Sequence, residues 1–332
     1  MKNKITITLI LFSILCSSMV FAETIYQFDN CGATGKTGPS SCPYTSTNLE
    51  SLVSVSGGIQ YWTVPSAGLY SIEGYGASGG AGQRPGGLGA RIKGNFDLTQ
   101  GTVLKILVGQ EGSVGTGSPA MGAGGGGTFV TTNSNTPLIV AGAGGGGGGV
   151  WRSTLTSYFD GGHGSTGTSG TYGGGGSNGQ GGVCVGSNCL AISSAGFYGH
   201  GSVRFGGGGY YEIPYAFVSG GRGGYWNNWA PNSQGGFGGG GAAGLAAGGG
   251  GGYSGGGTEG TWPGDSRAGG GGSYNSGTIQ INSAGINSGH GRVIITSIAE
   301  VVSAQDVTQI TEEWTLDEAI LDEVVTTLEN YQ

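Results

Sequence analysis

Glycine constrains this chain more than any other feature. Of its 81 glycines, 61 fall between Gly112 and Gly277, and composition is ordinary on either side. Eight runs of three or more glycines lie in that stretch, at 124–127, 144–149, 173–176, 206–209, 238–241, 248–252, 255–257 and 269–272. A residue without a side chain cannot build a hydrophobic core, and it loses more backbone freedom on ordering than any other. Composition leaves two readings open. One is a flexible linker. The other is a bundle of extended left-handed threefold helices, the glycine counterpart of polyproline II, rising about 3.1 Å per residue. Such rods keep their N–H groups and have no Cβ, so backbones can approach closely and pair the amides that burial would strand. Apolar words between the runs oppose the linker: Pro137-Leu138-Ile139-Val140, Phe197-Tyr198, Phe237, Ala242-Ala243-Gly244-Leu245 and Tyr253. Collagen is excluded because no strict Gly-X-Y period runs through the stretch.

Before the glycines the sequence alternates as half-buried strands do. Candidates are Ile25-Tyr26-Gln27-Phe28, the stretch 59–64, Leu69-Tyr70-Ser71-Ile72-Glu73, the stretch 91–96 and the stretch 103–108. Turn signals at Gly57-Gly58, 65–68, 85–87 and 99–101 separate them. Short strands at this spacing predict an antiparallel β-sandwich. Arg292-Val293-Ile294-Ile295-Thr296 reads as one more strand, returning to the same sandwich and making the glycine-rich stretch an insertion. The expected division is 1–22 signal peptide, 23–111 sandwich, 112–284 glycine-rich domain, 285–298 closing strand and 299–332 acidic tail.

The signal-peptide reading rests on Lys2 and Lys4, an apolar stretch from Ile5 to about Cys16, and the small-residue pattern Val20-Phe21-Ala22. It predicts an exported protein, secreted or held at a cell surface. No later stretch reaches the ~18 apolar residues of a membrane span. Export suits disulfides. Cys31, Cys42, Cys184 and Cys189 allow three connectivities, and we expect the two local pairs, Cys31–Cys42 and Cys184–Cys189. A zinc site is not expected, because no C-x-x-C occurs and His163, His200 and His290 are scattered.

Charge excludes further classes. Residues 23–298 carry ten Lys or Arg and ten Asp or Glu, whereas the last 34 residues carry nine acids and no base. No basic stripe exists to collect phosphates, so nucleic acid is not an expected partner. In the tail, Thr315-Leu316-Asp317-Glu318 has capping-box spacing. Ile310, Trp314, Ile320, Leu321, Val324, Val325 and Leu328 give it one apolar face, which predicts an amphipathic helix that docks or self-associates.

Catalytic motifs are weak. Two G-x-S-x-G strings, at 175–179 and 252–256, neither follow a strand nor open a helix. Gly35-Lys36-Thr37 resembles the end of a phosphate loop, but Asn30 stands where the leading glycine belongs. No enzyme activity and no cofactor are expected. One stretch does stand out: Tyr210, Tyr211, Tyr215, Tyr225, Trp226 and Trp229 interrupt the glycine runs beside Asn227 and Asn228. Aromatics among amides suit a recognition surface for a protein or glycan. The competing reading has these rings packing on the sandwich or capping rod ends.

The order of the non-glycine words carries a resemblance. Phe28-Asp29-Asn30-Cys31-Gly32-Ala33-Thr34-Gly35, then Gly58-Ile59-Gln60-Tyr61-Trp62-Thr63-Val64-Pro65, Tyr70-Ser71-Ile72-Glu73-Gly74-Tyr75-Gly76-Ala77 and Leu104-Lys105-Ile106-Leu107-Val108-Gly109-Gln110 follow one another. The glycine runs and Gly289-His290-Gly291-Arg292-Val293-Ile294 come after them. This sequence resembles the membrane-proximal extracellular part of the anaplastic lymphoma kinase and leukocyte tyrosine kinase receptors over about 26–298. The resemblance implies a tumour-necrosis-factor-like sandwich with an inserted bundle of polyglycine II helices, together a cytokine-binding module. No His-Arg-Asp or Asp-Phe-Gly tripeptide occurs, so kinase activity is not implied. The receptors' ligand-contacting acidic residues are not carried over to this sequence, so the fold is implied without the cytokine.

Overall fold

The computed structural model describes residues 23–116, 118–149, 159–172, 174–186, 190–204, 210–227, 232–260 and 266–298. The expected signal peptide and C-terminal helix lie outside them. The chain is nearly all β. Eight strands come first: β1 (Ile25–Phe28), β2 (Val53–Ser56), β3 (Ile59–Thr63), β4 (Gly68–Tyr75), β5 (Gly89–Leu98), β6 (Val103–Leu107), β7 (Thr128–Thr132) and β8 (Pro137–Ala141). Six short ones lie among the glycines: β9 (Cys184–Val185), β10 (Tyr210–Glu212), β11 (Tyr225–Asn227), β12 (Ser233–Gln234), β13 (Thr258–Gly260) and β14 (Ser266–Ala268). The last three are β15 (Tyr274–Asn275), β16 (Thr278–Asn287) and β17 (Arg292–Ile298).

Two antiparallel sheets form the sandwich, in the orders β1-β17-β4-β5-β16 and β15-β8-β7-β6-β3-β2. The alternation expected of β3 to β6 is real: Tyr70, Ile72 and Ile92 from one sheet meet Trp62, Leu104, Ile106, Val130 and Ile139 from the other in one core. Burying each such side chain contributes roughly 1.5–3 kcal/mol. β17 does return to the sandwich, seated between β1 and β4 with Val293 opposite Phe28 and Gly74. The boundary at 112, however, does not separate sandwich from glycines. β7, β8 and β15 fall within the expected glycine-rich domain and β16 crosses its end at 284, yet each is a strand of the two main sheets. Glu23–Ile298 hold together as one unit.

Among the described residues, the glycine runs are hydrogen-bonded to one another and to neighbouring segments through their backbones. From 122 to 127, successive amides donate to the carbonyls of Gly147, Ser113, Gly241, Gly144, Gln110 and Gly238. Every third residue returns to the same neighbouring segment, which runs antiparallel in each case. From 143 to 148 the acceptors are Gly251, Ala77, Gly162, Gly248, Gly80 and Phe159, again with a period of three. Here the segment beginning at Ala77 runs parallel and the other two antiparallel. None of the glycines at 124–127, 144–149, 248–252 or 269–272 has a positive φ. These positions need glycine for the space a Cβ would take. A Cβ at Gly146 would press into the carbonyl of Gly122, and one at Gly250 would lie 2.5 Å from the Ala143 oxygen.

Candidate functional site

β10, β11 and β12 form a small antiparallel sheet that rises from the glycine-rich region. Its register sets Tyr210 opposite Asn227, Tyr211 opposite Trp226, and Glu212 opposite Tyr225. Side chains alternate across a strand, so Tyr210, Glu212 and Tyr225 share one face while Tyr211 and Trp226 share the other. The Tyr210 and Tyr225 ring centres are 5.9 Å apart. Tyr211 stacks on Trp226 at the same spacing with 25° between planes.

A tight turn carries Tyr215 into the group. Its amide donates to the Arg222 carbonyl at 2.8 Å. A short 3-10 helix, Phe217–Ser219, closes the turn, and Gly220 ends it at φ 101°, a conformation that suits glycine. Phe217 anchors the turn to the sandwich: its ring stacks on Phe129 of β7 at 4.8 Å and on Phe197 at 4.9 Å. The His200 ring meets Tyr215 edge-on at 5.2 Å, and its Nδ1 accepts the Ala216 amide at 3.1 Å. The turn is therefore held from three sides.

Charge enters from far away in sequence. Lys36 Nζ donates to Glu212 Oε2 at 2.7 Å, and Arg222 Nη1 lies 2.9 Å from the same oxygen. The Tyr210 hydroxyl donates to Glu212 Oε1 at 2.6 Å. Lys36 also lies 4.4 Å from the Tyr225 ring centre, and the Arg222 guanidinium 4.6 Å from that of Tyr215. The hydrogen bond from Lys36, then that from Tyr210, holds the Glu212 carboxyl below its usual range. The same carboxylate raises the Tyr210 phenol. Lys36 is held in place by its backbone, whose amide donates to Gln234 Oε1 at 3.2 Å and whose carbonyl accepts from Gly223. The Cys31–Cys42 disulfide brackets that loop, with Cα atoms 5.1 Å apart.

These elements border a concavity of about 730 Å³ lined by Ser202, Val203, Tyr210, Tyr211, Tyr215 and Arg222, among others. Tyr210 is 62% exposed, Tyr211 40% and Tyr215 39%. Of the six aromatics expected to make a recognition surface, the structure brings Tyr210, Tyr211, Tyr215, Tyr225 and Trp226 together; Trp229 lies outside the described residues. Trp226 departs from the expectation. It is 2% exposed and packs with Ile192 and Ala242, so it supports Tyr211 from below and offers no face to a ligand. Lys36 and Arg222 were not expected here. Cys184 is buried at the start of β9, while Cys189 lies outside the described residues. Among the described residues, no group of three or more His, Cys, Asp or Glu is arranged to hold a metal, and no helix is long and apolar enough to cross a membrane.

The class these features define is an all-β sandwich with a backbone-bonded glycine-rich region and an exposed tyrosine concavity. No family model matches the chain. Over 97 residues, 26% of this chain, it is 36% identical to the leukocyte tyrosine kinase receptor of Mus musculus. The match spans 11% of that receptor's length. The chain is distantly related to that receptor.

Proposed function

We propose that this chain is an extracellular, non-catalytic binding module, secreted or surface-held, that recognises a protein or glycan through the tyrosine concavity. The single observation carrying this reading is the exposure of Tyr210, Tyr211 and Tyr215 on a mount fixed by buried Phe217 and Trp226. Exposed rings contribute little to folding, and a rigid mount lowers the ordering cost of binding. The distant receptor relationship, the Cys31–Cys42 disulfide and the expected signal peptide favour an extracellular setting. We read the period-three bonding as polyglycine II rods, in which the glycine-rich region is the stiff support for the site. An adhesin role suits such a support.

A structural reading, with the bundle as a spacer, competes on the same rods; it gives no reason to expose three tyrosines around one hollow. The test is a combined glycan and protein array probed with the wild-type chain and with Tyr210→Ala/Tyr211→Ala. The binding reading expects a ligand whose capture the double variant loses while its melting temperature holds. Capture unchanged in the double variant would move recognition elsewhere, and an array without any ligand would favour the spacer.

A further inference from the structure

All three histidines of the chain make the same bond. His163 Nδ1 accepts the Leu88 amide at 2.9 Å, His200 Nδ1 the Ala216 amide at 3.1 Å, and His290 Nδ1 the Glu111 amide at 3.0 Å. The bonds to Leu88 and Glu111 reach across 75 and 179 residues of chain. A main-chain N–H can only donate, so each Nδ1 is unprotonated and the ring's proton sits on Nε2. An imidazolium carries protons on both nitrogens and cannot accept at all. His163 and His200 are exposed and His290 is half-buried, so water can deliver that second proton. Each bond holds a connecting segment: Leu88 precedes β5, Glu111 follows β6, and Ala216 opens the Phe217–Ser219 turn. The charges near His200 are Arg222, which lies over the Tyr215 ring, and Glu212, already paired with Arg222 and Lys36. Beside His290 stand Glu111, whose carboxylate accepts the Ser78 hydroxyl at 2.9 Å, and Arg292, which lies over Tyr75. His163 follows Asp160, the partner of Arg84, and Gly285 of β16 packs on its ring.

We infer that the three histidines are acid-sensitive staples, and that proton uptake at His200 frees the turn carrying Tyr215 and weakens capture at the concavity. The staples stand on geometry alone; their effect on capture rests on the binding reading. Acid can only weaken these bonds. Histidines change charge between about pH 8 and about pH 5, and each proton gained on Nδ1 removes one acceptor. His200 has the most to change, because its ring also meets Tyr215 edge-on at 5.2 Å. A partner would then be held at neutral pH and let go in an acidified setting.

The experiment is NMR on the full chain without ligand, titrated from about pH 8 to about pH 5, the range in which histidines change charge. Ring nitrogen shifts should show the Nε2–H tautomer at all three histidines at the upper end. As the rings protonate, the protection factors of the Leu88, Glu111 and Ala216 amides should fall roughly three- to tenfold, the worth of one hydrogen bond. The Val64 amide, bonded to the Thr102 carbonyl, is the control and should hold. His200→Asn supplies an amide oxygen near the place of Nδ1 that cannot be protonated in this range. It should keep Ala216 protected and remove the pH dependence there, whereas His200→Ala should leave Ala216 unprotected throughout. An Nδ1–H tautomer, rings that stay neutral to the end of the titration, or amides still protected once the rings are charged would overturn the staples and leave the binding reading standing. Loss of protection at Ala216 with the Tyr215 ring resonances unmoved would overturn the coupling to the concavity.

Discussion

The sandwich and the glycine-rich region solve one problem in opposite ways. In the sandwich, side chains do the holding: Trp62, Tyr70, Ile72, Ile92 and Leu104 interlock between two sheets, and every second residue faces inward. In the glycine-rich region the side chain is what must be missing. Backbones lie close enough that each third amide returns to the same neighbour, and the stabilisation comes from pairing buried N–H and C=O groups. The first design tolerates small changes of shape. The second has no slack, because the atom a Cβ would strike is another backbone. Aromatic residues join the two, with Phe129 of β7 in the same cluster as Phe197, Phe217 and Phe237.

The harshest way to break that comparison is to add a side chain inside the glycine-rich region. Gly146→Val and Gly250→Val should each cost about 3–5 kcal/mol, overpacking combined with buried amides left unpaired, measured by chemical denaturation. Ile92→Val in the sandwich should cost only about 0.5–1.5 kcal/mol. Similar losses at both places would show that the two regions do not differ in kind.

Next in size is the contrast within the aromatic site. Trp226→Ala empties a buried position and should cost about 3–5 kcal/mol, whereas Tyr210→Ala should leave the denaturation midpoint essentially unchanged. Parity between them would contradict the division into support and contact. Opening the Cys31–Cys42 link by a double Cys→Ser change should cost about 2–3 kcal/mol for so short a loop. It should also loosen Lys36, read as weaker capture of whatever the concavity binds.

The smallest effect concerns pH. Glu212 is held below the usual carboxylate range by Lys36 and Tyr210. Its contribution is therefore complete above that range and lost as pH falls through the lowered value. Being partly exposed, it should contribute under about 1 kcal/mol. Glu212→Gln should lower the neutral plateau by that amount and flatten the acid limb of the stability–pH curve; an unchanged acid limb would remove Glu212 from the account.

How much of this could be read from sequence follows from the same contrast. β3 to β6 were legible because alternation records which side faces the core. β2 and β16 were not: Val53–Ser56 is exposed or half-exposed throughout, and β16 is exposed along most of its length with register shifts against β5. Neither carries an inward apolar series to detect. β8 was visible as the apolar word Pro137-Leu138-Ile139-Val140 but was placed among the glycines, since its pairing with β7 leaves no mark in a short run. Composition left the threefold bonding as one of two readings, because backbone bonding is indifferent to which glycine sits where. At the site, the tyrosines announced themselves, but Trp226 was misjudged because one step along β11 reverses the face. Lys36 could not be found: it reaches Glu212 across 176 residues of chain, and nothing local to Gly35-Lys36-Thr37 signals that contact.

Amide hydrogen exchange at the glycines tests the central claim most directly. Glycines 144–148, together with Gly248, Gly250 and Gly251, each donate a backbone hydrogen bond. Bonded amides that open only with the fold exchange slowly, so these glycines should be protected to a degree comparable with Ile72 and Leu104 in the sandwich. Exchange at free-peptide rates through these runs, with the sandwich still protected, would contradict the account and return the glycines to a linker.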